Sequence, residues 1–368
     1  MSMKKPFLPP KLPVKIEYDP LIGHIAKAHR AIASLDSLLL ALPNPGLLGR
    51  TLVTKEAVLS SQIEGTQATI AEVLAYEASA DKNESERKKQ DIAEIINYRK
   101  ALDLGIKSLA TLPISENLVK KIHATLLESG RGANKAPGQF RKIQVYIGLP
   151  GADISQASYI PPAANDVIPL FANLEKYLNS DEEKDKLVQI AVAHYQFEAI
   201  HPFLDGNGRV GRLIISLFLY EKKLLSHPFL YLSEFFEGNR RDYYDLLRGV
   251  SEKGDWETWI KFFLNALTVQ AGAAEKTARA ILELHREYKE KIAGMNSAYA
   301  PYLLDAIFVR PIFTTASIKR HVKIKNIQTL FNLVAKFTEM GILKEANPKQ
   351  KRNKVYVFEE LMKILNNK

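Results

Sequence analysis

The sequence predicts a mainly α-helical chain carrying one small β-hairpin and a compact, basic C-terminal domain. Three observations predict it. Apolar residues recur at helical spacing through most of residues 1–300, strand-like alternation within those residues is confined to 138–162, and positive charge gathers after Pro301. Of the net charge of +10, residues 301–368 carry +8, with 13 Lys and Arg against 5 Asp and Glu. Any nucleic-acid partner is therefore expected at the tail.

At 368 residues the chain is too long for one ordinary domain. The pattern divides it into a helical region over 1–110, a core over 111–268, and a linking helix with the basic domain over 269–368. The absence of cysteine excludes disulfides, thiolate metal sites and Cys nucleophiles, and fits a reducing cytoplasm. The first fifteen residues lack an apolar signal region, and the apolar run 213–220 is far too short to span a bilayer, so no membrane partner is expected.

Five prolines in residues 1–20 predict an extended arm lying on the body. Helices are expected over 22–42, stopped by Pro43-Asn44-Pro45-Gly46, over 47–63, stopped by Gly65, and over 68–78. Residues 80–90 read as a solvated turn or helix end, followed by a long helix over 91–109 and another capped by Ser115. Gln144-Val145-Tyr146-Ile147 and Ser158-Tyr159-Ile160 predict a hairpin flap, ended by Pro161-Pro162. Helices resume over 167–179, 184–200 and 208–223, with one or two more over 242–267 and a linking helix over 271–291.

Chemistry concentrates in His201-Pro202-Phe203-Leu204-Asp205-Gly206-Asn207-Gly208-Arg209-Val210-Gly211-Arg212. A helix precedes this run and another follows it. Gly206 and Gly208 let backbone N–H groups approach a ligand at a helix N-terminus, where the dipole favours phosphate. Arg209 and Arg212, three apart, can fork onto phosphate oxygens. Asp205 is a hard carboxylate suited to Mg2+ on two phosphates, and His201 is a base near neutral pH. Together they predict phosphoryl or nucleotidyl transfer. Residues 206–211 also spell a dinucleotide fingerprint, but no strand precedes them, and no Walker Gly-Lys-Ser/Thr is present.

The run resembles the signature of the Fic family, H-x-F-x-[D/E]-G-N-G-R-x-x-R, at every fixed position, and the resemblance extends over about 16–267. It implies a Fic-type helical bundle that moves AMP from Mg-ATP to a Ser, Thr or Tyr hydroxyl of a target protein, releasing pyrophosphate. His201 would be the base and Asp205 the Mg2+ ligand. Asn207 and the amides of Gly206 and Gly208 would cradle phosphates, Arg209 and Arg212 would bind the β- and γ-phosphates, and Val210 and Gly211 complete the nucleotide-binding run. Phe203 is expected to pack under the loop. Tyr244 reads either as an adenine-stacking ring or as a half-buried helix tyrosine. The flap, about 142–159, would clamp the target by strand addition.

Ser60-Ser61-Gln62-Ile63-Glu64-Gly65 fits the family's inhibitory pattern [S/T]-x-x-x-E-[G/N]. Ser60 and Glu64, four apart, share one helix face, and Glu64 is expected to pair with Arg212 and fill the γ-phosphate space. His194 reads as a packing histidine, and His123, His227 and His321 lack partners at zinc-ligand spacing. Helices over 301–308, 315–321 and 327–340, with a hairpin of 341–343 and 355–358 around the basic turn 347–354, resemble a winged helix, which implies DNA as a partner. A homodimer is a further expected partner. Two rival readings stand beside AMP transfer: a DNA-binding regulator whose body senses nucleotide, and an enzyme that removes AMP, with Glu64 positioning water.

Overall fold

The computed structural model describes residues 5–41, 46–78, 84–148, 153–349 and 352–366. The proline-rich start is extended, as expected, and is tied down at three points. Phe7 donates its N–H to the Ile160 carbonyl, Gln196 donates to the Pro10 carbonyl, and Leu12 exchanges two hydrogen bonds with the Asn173 amide.

Four helices form the N-terminal region: α1 (Ile22–Leu40), α2 (Gly46–Ile63), α3 (Ile70–Ala78) and α4 (Glu86–Ser108). The expected stop at Pro43-Asn44-Pro45 lies outside the described residues. Gly65 ends α2 as expected. At φ 94° it takes the left-handed conformation, while the Glu64, Gly65 and Thr66 N–H groups close back onto Ser61 and Gln62. The fourth helix starts five residues before the expected Asp91, because the Ser85 side chain caps it at the Lys88 N–H. Ser115 caps α5 (Glu116–Leu126) at the Leu118 N–H, as expected.

The flap departs from expectation. Two strands were expected, but the described residues hold a single antiparallel bridge, Ile147 with Tyr159, and part of the turn lies outside them. Tyr159 anchors it by donating its hydroxyl to the Ala199 carbonyl at 2.8 Å.

Next come α6 (Val167–Leu178), α7 (Lys186–Ile200) and α8 (Asn207–Glu221). Nearly every residue of α7 from Leu187 onward is buried, which makes it the central helix of the bundle. Its packing against α8 is close. A Cβ on Gly211 would meet Glu198 Oε1 at 2.4 Å and the Phe197 ring at 3.2 Å.

Two short helices follow, α9 (Ser233–Gly238), which the sequence did not announce, and α10 (Arg240–Lys253). Gly254, at φ 67°, stops α10, and Asp255 caps α11 (Trp256–Ala293) at the Thr258 N–H. This last helix runs unbroken through residues 267–271, so the division at 268 falls inside it, and no separate linking helix exists. Its 38 residues span about 57 Å, with the buried Trp259 donating to the Ala191 carbonyl at 2.9 Å.

The C-terminal unit contains α12 (Ala300–Val309), β1 (Ile312–Thr314), α13 (Thr315–Ile318), α14 (Ile327–Glu339), β2 (Lys344–Glu345), β3 (Val355–Val357) and α15 (Glu359–Leu365). The strands form an antiparallel sheet in the order β1-β3-β2, with Phe313 opposite Tyr356 and Lys344 opposite Val357. Hence the expected hairpin exists with its first strand later than 341–343, while β1 and α15 are additions. The unit packs onto α2 and α3, and Thr314 donates to the Ala78 carbonyl. Among the described residues no helix is long and apolar enough to cross a membrane.

Candidate active site

The signature run bridges α7 and α8. His201 is the C-cap of α7 in the left-handed conformation, at φ 49° and ψ 61°, a backbone state that non-glycine residues adopt mainly under tertiary constraint. Arg141 supplies that constraint. Buried to 3% exposure, it donates to the carbonyls of Ile200, His201, Ile143 and Pro162, so one guanidinium ties the α7 end to the base of the flap. Burial, then the nearby Arg141 charge, pushes the His201 imidazole down to about 4, so it is a neutral ring at pH 7. Its Nδ1 is buried without a direct hydrogen-bond partner among the described residues.

The loop is held from both sides. Phe203 is fully buried, as expected, and stacks on His123 at 3.7 Å between centroids. The Gly138 N–H donates to His123 Nδ1, so Nε2 carries the ring proton and donates to the Asp205 carbonyl at 3.0 Å. The Asn207 amide accepts from the Phe203 N–H and donates to the Phe203 carbonyl, both at 2.9 Å. Its side chain therefore staples the loop. Gly206, at φ 76°, opens α8.

Arg209 is 4% exposed and lies 3.5 Å from both Glu94 and Asp205. Asp205 Oδ1 also accepts from the Gly206 N–H, while Oδ2 has no hydrogen bond among the described residues, and the side chain is 39% exposed. A lone half-exposed carboxylate with one free oxygen suits Mg2+, which holds mainly phosphate oxygens and water. No group of three or more metal-ligating side chains occurs among the described residues.

Arg212 lies on the same face of α8 and reaches across to α2. It donates Nε to Ser60 Oγ at 2.8 Å and Nη2 to the Ser60 carbonyl and to Glu64 Oε1, both at 2.9 Å. Burial opposes ionisation of Glu64, but the Arg212 charge and hydrogen bond overcome it and hold the carboxyl below its usual range. The carboxylate lies directly on the helix mouth: a Cβ on Gly208 would come within 2.4 Å of Glu64 Oε1. Arg240 donates to the Ile63 carbonyl and fixes the end of α2 against α10, the helix that carries Tyr244. Tyr244 is 43% exposed and within electrostatic reach of Glu64 and Arg212.

Of the expected site residues, the structure brings together His201, Asp205, Gly206, Gly208, Arg209, Arg212, Ser60 and Glu64, with Tyr244 beside them. Val210 and Gly211 are not at the mouth. Val210 is fully buried with its N–H bonded to the Gly206 carbonyl, and Gly211 serves the approach of α8 to α7. His194 is a packing residue, as expected, bonded to the Tyr243 hydroxyl at 2.9 Å. His123, Arg141, Glu94 and Arg240 were missed, because each acts through contacts remote in sequence.

A protein adenylyltransferase Fic from Drosophila grimshawi is 29% identical over 164 residues, covering 42% of this chain and 31% of that protein. The corresponding protein from Culex quinquefasciatus is 32% identical over 127 residues, 34% of this chain and 22% of that one. The match thus spans at most about a third of these curated relatives' length. A Fic family protein from Desulfovibrio desulfuricans G20 shares the fold at TM-score 0.59 and 20% identity, over 96% of this chain and 98% of that one. Fic-1 from C. elegans does so at TM-score 0.52 and 20% identity, over 72% of this chain and 75% of that one. The Fic/DOC family N-terminal region matches residues 22–107 and the Fic/DOC family core matches residues 113–219. These matches together cover more than half of the chain, which belongs to the Fic/DOC family.

Proposed function

We propose that the chain transfers AMP from Mg-ATP to a hydroxyl of a protein target, and that Glu64 restrains the reaction. The observation that carries this reading is a neutral His201 imidazole beside the amide-rich start of α8, with Arg209 and Arg212 on the same mouth. The curated relatives carry the name protein adenylyltransferase.

In this reaction His201 takes the proton of a Ser, Thr or Tyr hydroxyl. The freed oxygen bonds to the α-phosphorus in line, the bond from that phosphorus to the bridging oxygen breaks, and pyrophosphate leaves with the electron pair. A base held at about 4 is weak in the resting site. A bound triphosphate raises its proton affinity, because the phosphate charge favours the imidazolium. Asp205 would hold Mg2+, which supplies charge neutralisation on the phosphates. Arg209 turns from Glu94 and Asp205 toward phosphate, and Arg212 exchanges Glu64 for the γ-phosphate. The Glu64 carboxylate occupies the volume over Gly208 that a phosphate needs, which supports the brake. Its direct bond to Arg212 favours this role over the positioning of water in an AMP-removing enzyme. Tyr244, exposed beside the α8 mouth, would stack on adenine.

The target would lie along the flap, where Ile143, Tyr146 and Ile147 are exposed. The cysteine-free sequence supports a cytoplasmic setting. The helix–strand–helix–helix–strand–strand order over 300–357 supports the winged-helix reading. The exposed face of α14 presents Gln328, Phe331, Asn332 and Lys336, with a single cation, so a duplex DNA partner rests on the basic turns that flank it. DNA and a second copy of the chain remain secondary partners in this reading.

Incubation of Glu64→Gly with lysate and ATP labelled at the α-phosphorus tests the proposal. Labelled protein that His201→Ala fails to produce supports it, and label absent from both counts against it.

A further inference from the structure

Helix α7 ends in a way that its own main chain does not complete. The His201 N–H closes the last turn on the Phe197 carbonyl, and the next two residues offer nothing further: Pro202 has no N–H, and Phe203 gives its own to Asn207. Side chains from the flap meet the carbonyls at the helix end instead. Tyr159 donates its hydroxyl to Ala199 at 2.8 Å, and the Arg141 guanidinium donates to Ile200 at 3.3 Å and to His201 at 2.9 Å. The Arg141 main-chain N–H adds a bond to the Pro202 carbonyl at 2.9 Å. A cation at a helix C-terminus is also favoured by the dipole.

Arg141 and Tyr159 stand at the two feet of the flap. The same guanidinium reaches the carbonyls of Ile143 at 3.2 Å and Pro162 at 2.6 Å, one on each foot. Gln144 crosses from the first foot to the Pro161 carbonyl at 2.9 Å, and the Ile147–Tyr159 bridge joins the two sides above. One planar fork thus holds four carbonyls, two from the flap and two from the helix end, and one of these belongs to the residue that carries the imidazole. Because His201 sits at φ 49°, the direction of its ring depends on the contacts that impose this backbone and not on the helix alone.

We propose that Arg141 and Tyr159 are positioning residues that join the flap to His201 as one frame, so that a target strand seated on the flap lies at a fixed distance from the base. The inference rests on the AMP-transfer reading for its target and its base. The bonds of both residues to the catalytic loop end at residues 199–202, before the run 205–212 that faces nucleotide, so nucleotide affinity should not depend on them.

The test uses the full chain carrying Glu64→Gly, with lysate protein as acceptor and saturating Mg-ATP labelled at the α-phosphorus. Tyr159→Phe removes one hydroxyl and leaves the ring beside Phe7, so it is expected to fold. Arg141→Lys keeps the charge that helps to hold His201 neutral but loses the fork, so its effect reads geometry. Tyr195→Phe is the control, removing from α7 a hydroxyl that bonds Ser251 and not the flap. The rate of label transfer is expected to fall about 10-fold in Tyr159→Phe and about 100-fold in Arg141→Lys, and to hold in Tyr195→Phe. The calorimetric Kd for Mg-ATP should stay the same in all three. An unchanged rate in Tyr159→Phe overturns the proposal. So does a fall that comes with weakened Mg-ATP binding, or one that Tyr195→Phe shares, since either reports general loosening of the bundle.

Hydrogen exchange read by mass spectrometry, without nucleotide, supplies an arm independent of transfer. Residues 153–162 and 199–204 should exchange faster together in the two flap variants and unchanged in Tyr195→Phe. Faster exchange of the flap alone overturns the frame. Should Glu64→Gly itself transfer no label, the AMP-transfer reading fails, and the exchange result alone decides whether flap and helix end are one frame.

Discussion

Removing the Glu64 carboxylate is the perturbation whose effect follows most directly from the geometry. In the resting chain that carboxylate sits 2.9 Å from Arg212 and over Gly208, so the triphosphate must displace it. A hydrogen bond to a charged group contributes about 1.5–3 kcal/mol. Arg212 is 2% exposed at its side chain but Glu64 is 35% exposed, so solvent screens the pair and about 2 kcal/mol is the reasonable figure. That corresponds to about 30-fold in nucleotide affinity. Calorimetric titration with Mg-ATP should therefore give a Kd about 30-fold lower for Glu64→Gly than for wild type. Glu64→Gln, which keeps the bulk over Gly208 but loses the ion pair, should fall between them. Glycine at this position costs little else, because α2 has already ended at Ile63. Equal affinities for Glu64→Gly and wild type would refute the displacement argument.

Four further outcomes follow from other contacts. Arg240→Ala, which frees the end of α2, should relieve the brake in part and raise basal label transfer about fivefold, the equivalent of one lost hydrogen bond of about 1 kcal/mol. His123→Ala removes the bond to the Asp205 carbonyl and should lower transfer in the Glu64→Gly background at saturating ATP, with a stability loss of about 2 kcal/mol by denaturant unfolding. The Glu56 carboxyl, 2% exposed and pushed up to about 7 by burial, stabilises the fold while protonated, and that contribution is lost as pH rises through about 7. Glu56→Gln should therefore gain about 1.4 kcal/mol relative to wild type between pH 6 and pH 8.5, read from urea midpoints at each pH. The acid limb of transfer should lie well below the ordinary histidine range in free enzyme, because His201 is held at about 4, and a kcat/KM profile centred on pH 6.5 would contradict that.

How legible this was depended on the range of each interaction. The 201–212 run could be read because its chemistry is local: base, carboxylate, glycines and arginines follow one another, and two helices flank them. Ser60 and Glu64 were legible through helical spacing once Arg212 gave them a destination. The side-chain bonds of Asn207 were not legible, because their partner, the Phe203 main chain, depends on the loop's path. Val210 and Gly211 were included as neighbours in sequence, but helical rotation turns them into the bundle. His123 and Arg141 carried no signal at all, since their contacts to the loop cross 82 and 60 residues. In the fold, the change of composition after Leu267 suggested a break, yet no proline interrupts α11 and Gly272 alone is too weak to do so. The flap residues have strand character, but the bundle provides no neighbouring strand to extend the one bridge.

The central claim concerns which phosphorus is attacked, and isotope position decides it. Glu64→Gly incubated with ATP labelled at the α-phosphorus, and in parallel at the γ-phosphorus, should yield labelled protein from the first alone, with labelled pyrophosphate released from the second. Label carried to protein from the γ-position would show phosphoryl transfer instead and contradict the account.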